Sequence, residues 1–196
     1  MLDRAVTAWP NSCLQQARTS LRSAFSLLRP GTLDRLTMRF FTMSWWQDVQ
    51  SGSAENPSDA YERHLAALRP FPDSVARLDQ LPSLHDAHVR RVEHLGNSVE
   101  ITLDRWGEKG GWIPTRLSYG KVEALAFEAD PESSLPGPAG FGDLGYYEID
   151  RPSADVFEHR LLFSSGVELC VRFREFSFSV DAVQPAVAAD GAAPRR

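Results

Sequence analysis

The run Val167-Glu168-Leu169-Cys170-Val171-Arg172-Phe173-Arg174-Glu175-Phe176-Ser177-Phe178-Ser179-Val180 decides how this chain is built. From 167 to 173 the odd positions hold Val, Leu, Val and Phe, while the even ones hold Glu, Cys and Arg. A period of two puts one apolar and one polar face on an extended strand. Beyond Arg174 the parity slips by one, since Phe176, Phe178 and Val180 are now the apolar positions. A bulge or kink near Arg174-Glu175 is the least disruptive way to make that change of face.

The same period extends back to Pro82. Val99, Ile101 and Leu103 alternate with Glu100, Thr102 and Asp104, and Gly96-Asn97 fits a tight hairpin leading back to a strand over 88–95. Further strands are expected at 115–119, 122–127, 146–150 and 156–163, with turns at 119–121 and 164–166. These connections are too short for crossover helices, so consecutive strands should run antiparallel. Before Pro82 the spacing is helical: after Pro57 and Ser58, Tyr61, Leu65 and Leu68 fall on one face. Ser44 is expected to cap a turn holding Trp45, Trp46 and Val49, with both tryptophans in the core, and a short helix is expected over 73–81. The fold class is therefore α+β, with N-terminal helices packed on a mostly antiparallel β-meander of about seven or eight strands.

The chain changes character at Met38. Residues 38–183 read as a single α+β domain, helical over 43–81 and β-rich over 83–183. Residues 1–37 read as a poorly ordered extension or an over-long start, and 184–196, rich in Ala and Pro, as a disordered tail. Arginines interleaved with serines between Arg18 and Arg29 also resemble an organellar transit peptide, but Asp3 argues against one, and Leu27-Leu28 is too short for a secretory apolar core. No stretch approaches the roughly 18–20 apolar residues of a membrane span. With 42% hydrophobic and 24% charged residues, the chain falls among ordinary soluble domains. Two cysteines, Cys13 and Cys170, give no disulfide framework, and a reducing cytoplasm is expected.

Charge narrows the partners. Residues 1–37 carry five Arg and two Asp, so the total of −5 leaves −8 on residues 38–196. No block of Lys or Arg interrupts the domain, which argues against general nucleic-acid binding. A basic protein partner suits such a surface better.

Chemistry-bearing motifs are few. Residues 140–145 match a glycine fingerprint for dinucleotides, but a strand rather than a helix is expected to follow, so a turn is the better reading. No cofactor is expected. Leu84-His85-Asp86-Ala87-His88 concentrates two imidazoles and a carboxylate where helix gives way to strand. His85, Asp86 and His88 are the candidates for a metal-dependent or acid/base hydrolase, although residues 85 and 88 of an extended chain face opposite ways. The structural alternative is that His85 and Asp86 cap backbone groups at the entrance to the sheet. Trp106 and Trp112 flank the glycine-rich turn 107–111, where large rings are hard to bury, and are candidates for a partner contact. Glu148 and Glu158 could face each other across strands, but as surface carboxylates they carry no function.

The opening Met38-Arg39-Phe40-Phe41-Thr42 with Trp45 and Trp46 downstream, the segment Ser83-Leu84-His85-Asp86-Ala87, and Tyr147-Glu148-Ile149 before a final strand pair resemble a family of small bacterial proteins of unknown function. That resemblance covers roughly residues 38–183 and implies no activity. The Leu-His-Asp-Ala segment is also similar to that of immunity-type proteins of bacterial toxin systems. The expectation is a non-enzymatic protein-binding module; the hydrolase is the alternative.

Overall fold

The computed structural model describes residues 37–52, 55–107, 110–128 and 141–181. Apart from Thr37, the expected extension lies outside these residues. So do the expected tail and most of the loop before Gly145. Two helices, α1 (Met43–Gln50) and α2 (Ser58–Leu68), and a 3-10 turn (Ala76–Gln80) precede the strands among the described residues. The strands are β1 (Ala87–Leu95), β2 (Ser98–Trp106), β3 (Trp112–Gly120), β4 (Ala124–Glu128), β5 (Asp143–Ser153), β6 (Val156–Phe163), β7 (Glu168–Phe173) and β8 (Glu175–Val180).

The helices begin and end for local reasons. Thr42, in extended conformation, caps α1 by accepting the Trp45 N–H at 3.1 Å. Ser44 does not cap: it already lies inside the first turn, and its hydroxyl meets that of Thr42 at 3.0 Å. An N-cap must stand outside the helix to reach the free amides. Asn56 accepts the Ser58 N–H at the start of α2, and Arg69, held extended before Pro70, ends it. The helix expected over 73–81 shrinks to a turn and one 3-10 segment, because Pro82 forces Leu81 into extended backbone. Val75 and Leu78 still face inward and are buried.

All eight strands pair antiparallel, in the order β4-β7-β6-β5-β1-β2-β3-β8. This departs from a simple meander. Sequence neighbours pair in β1-β2-β3 and in β5-β6-β7, but β8 returns to β3 and β4 to β7. The reason is a bend shared by two long segments. Arg174 alone separates β7 from β8, and residues 121–123 separate β3 from β4; Arg174 N–H donates to Gly120 O, and Glu123 N–H to Arg172 O, across the bend. The two ends of the strand order are thus halves of one bent ribbon, and the hydrogen-bonded ladder returns on itself. The face change expected at Arg174-Glu175 is this bend.

The interior is a single apolar cluster that includes Val99, Ile101, Leu103, Leu117, Tyr119, Phe157, Leu161, Phe163, Leu169, Val171, Phe173 and Phe176. Each such side chain contributes about 1.5–3 kcal/mol by leaving water. A second cluster joins Met38 and Phe41 to Tyr61 of α2 and Leu162 of β6 on the opposite face of the sheet. Every residue of β6 is consequently buried, its charged ones included.

Candidate functional site

One end of the rolled sheet gathers both sets of sequence candidates. β1, β3 and β5 begin there and β2 ends there. Across these strands Asp143 pairs with His88 and His88 with Asp104. Two residues further along the same face, Trp106 stands opposite Trp112. The two indoles pack edge to face, with centroids 5.2 Å apart, and remain 59% and 43% exposed. Trp106 is the most exposed large hydrophobic residue of the described chain. Asp104, by contrast, is buried beneath the guanidinium of Arg90.

The Leu84–Ala87 segment is built as a tether. Leu84 and Ala87 are fully buried, Ala87 N–H donates to Leu84 O at 3.0 Å, and Asp86 N–H donates to Leu144 O at 2.8 Å. Asp86 takes a left-handed φ of 59°, which Asp tolerates better than most residues, and its side chain is 78% exposed. Of the two residues expected to cap backbone groups, His85 does so, its Nδ1 meeting the carbonyl of Gly145, while the Asp86 carboxylate faces the His85 ring instead. A carbonyl only accepts, so Nδ1 carries the proton. Nε2 then lies 3.7 Å from Asp86. His88 instead turns Nδ1 to Asp143 at 3.1 Å. The two imidazoles therefore serve different partners, and no three His, Cys, Asp or Glu side chains among the described residues are grouped to hold a metal ion. Gly145 is needed where it stands: a Cβ there would lie 2.5 Å from the Trp46 ring. Trp46 and Trp45 are partly buried, packed around Tyr146 against the second apolar cluster and not in the main interior.

Sequence reading missed a second polar assembly, on the outer face of β5, β6 and β7. Glu148 and Glu158, read as surface carboxylates, are both buried. Glu148 accepts the backbone N–H groups of Arg39 (2.9 Å), Phe40 (2.6 Å) and Phe41 (2.8 Å), and Glu168 accepts that of Met38 (2.8 Å). Arg160 and Arg172 both engage Glu158. Asp150 completes the set, with Arg39 at 2.6 Å, Arg160 at 3.2 Å and His64 at 3.4 Å. Partial burial alone would raise the Asp150 pKa, but hydrogen bonds from the Arg151 N–H and Arg39, with the charge of Arg160, hold it below the ordinary carboxylate value. Burial likewise lowers Arg160, yet the surrounding acids outweigh it and keep the guanidinium charged. The available signal was α2 itself, whose apolar stripe needed something to cover.

Inside the roll, His159 is fully buried and its Nδ1 lies 2.8 Å from the hydroxyl of Tyr119, with Tyr147 and Phe176 around the ring. Burial pushes its pKa down to about 3, so it is neutral at ordinary pH. Burial also pushes the Cys170 thiol up to about 12, which leaves it a poor nucleophile.

These features define a mostly β domain built, among the described residues, on an eight-stranded antiparallel sheet with two helices and an exposed tryptophan pair at one end. Comparison with protein-family models, curated proteins and solved structures returned no match. No helix among the described residues is long and apolar enough to cross a membrane.

Proposed function

We propose that the chain is a non-enzymatic, cytoplasmic binding module whose open sheet end receives a basic protein rather than a nucleic acid. The observation that carries the reading is the exposed Trp106–Trp112 pair, two large rings standing in solvent at the end of the sheet to which β1 and β5 also bring Asp86 and Asp143, which are 78% and 59% exposed. Indole faces attract Lys and Arg, and tryptophan dominates the energetics of many protein interfaces. The charge of −8 on residues 38–196 would steer a basic partner toward the domain. The similarity of the Leu84–Ala87 segment to immunity-type proteins supports a basic toxin domain as that partner. In this reading the helices act as a cover for the outer face of β5, β6 and β7, leaving the Trp106–Trp112 pair of β2 and β3 for recognition.

The test is affinity capture from the native host at low and moderate salt, with the wild-type chain and with Trp106→Ala/Trp112→Ala. A stoichiometric basic protein, lost with the double variant and weakened by salt, is expected. A partner of acidic character, or capture indifferent to both tryptophans, overturns the proposal.

A further inference from the structure

The outer face of β7 presents a carboxylate, Glu168, that forms no close ion pair among the described residues. Glu168 accepts one backbone N–H, that of Met38 at 2.8 Å. Glu128 stands directly opposite it on β4, a like-charge pair of the kind that destabilises a sheet. Glu148 adds further negative potential nearby, and Arg160 is the cation that offsets it. Partial burial and these two acids raise the Glu168 pKa above the ordinary value, while Met38 and Arg160 lower it only in part. An amide donor is a weak answer to such a site; an ammonium would be a strong one.

The atom already in contact is the nitrogen of a methionine whose side chain is 4% exposed, locked between Phe41, Tyr61 and Leu162. The next three amides are held by Glu148, so from Met38 onward the backbone is fixed to the sheet by two carboxylates. Met38 is also where the sequence takes on the character of a folded domain. From this geometry we infer that Glu168 is the receptor for a free α-ammonium group on Met38, generated by translation initiating at that codon and, in a bacterial host, hydrolysis of the initiator formyl group to formate. The Met38 nitrogen then bears a positive charge in place of an amide, and the Glu128–Glu168 repulsion is relieved.

The natural gene, expressed in its own host with a C-terminal tag, gives the first readout by intact mass and N-terminal sequencing. A chain beginning at Met38 is expected, and it should disappear when the codon is changed by Met38→Leu. Recovery only of chains that begin upstream overturns the inference. Persistence of the short chain in Met38→Leu also overturns it, because peptide-bond hydrolysis after Thr37, with water supplied by a peptidase, would then be the source.

The second readout concerns Glu168 itself. Glu168→Gln keeps an acceptor but removes the charge. In the natural product beginning at Met38 the variant should lower Tm by about 3 °C or more, on the scale that about 1 kcal/mol moves a domain of this size. In the full 196-residue chain, where Met38 N–H is an amide, the same change should leave Tm level or raise it. Equal shifts of the same sign in both chains overturn the ammonium–carboxylate pairing.

Discussion

The outer face of β5, β6 and β7 and the outer face of β1, β2 and β3 carry similar residues and treat them in opposite ways. On the first, Glu148, Glu158 and Arg160 are buried, on the face where Met38, Phe41 and Tyr61 pack with Leu162. On the second, Asp104 alone is buried, under Arg90, while Glu100, Arg116 and the two tryptophans stand at least partly in water, and the Arg116–Glu100 pair is loose, at 3.6 Å. Identity of the residue did not decide its role. A charge that binds backbone amides and other charges becomes structural, whereas the same charge in solvent contributes little to stability and is free for recognition.

The largest effect that could break this contrast is expected at Glu148. Glu148→Ala leaves three backbone N–H groups and part of the charge of Arg160 without a partner, and should cost about 3–5 kcal/mol in urea unfolding. A loss below about 1 kcal/mol would mean that the covered face is held by apolar contacts alone.

Acid sharpens the contrast from the inner side of β6. The folded-state pKa of His159 is about 3, below its ordinary value of 6.5, so the unfolded chain binds a proton that the folded one refuses. Its contribution is whole above pH 6.5 and is lost as pH falls through the window between 6.5 and 3, at about 1.4 kcal/mol per unit, or roughly 2 kcal/mol by pH 5. Urea melts of the wild type and His159→Gln at pH 7 and pH 5 check this. An unchanged slope in the variant places the acid sensitivity elsewhere.

Thr42→Ala should cost about 1 kcal/mol through the lost cap of α1, measured by thermal melting. Ser44→Ala should cost clearly less, and the reverse order would return the cap to Ser44. The smallest change is expected on the open face, where Trp106→Ala and Trp112→Ala should each move stability by less than about 1 kcal/mol, the range of a cross-strand pair. A larger loss would make the pair part of the scaffold and remove the reason for assigning it to a partner.

The strands were legible because their alternation is local: each segment from 88 to 180 announces its own two faces, and the slip at Arg174 announces the bend. Strand order was not, since nothing in the residues of β8 says that they return to β3 instead of lying beside β7 alone. Trp106 and Trp112 could be placed in solvent from the glycines between them. The Glu148 assembly could not, because charge at every second position of a strand reads as exposure unless the element that covers it is known. His85 shows the remaining limit: its partner is the carbonyl of Gly145, and backbone carbonyls leave no mark in a sequence.

The bent ribbon has a kinetic consequence. Thr115 pairs with Val180 although four further strands are made between them, so the seam that joins the two ends of the sheet comes together only after nearly the whole domain has been synthesised. Distant partners of this kind slow folding, since chain entropy is surrendered before the contacts form. Until then the edge of β3 is bare, and a nascent chain stalled before β8 would present it as a template for aggregation.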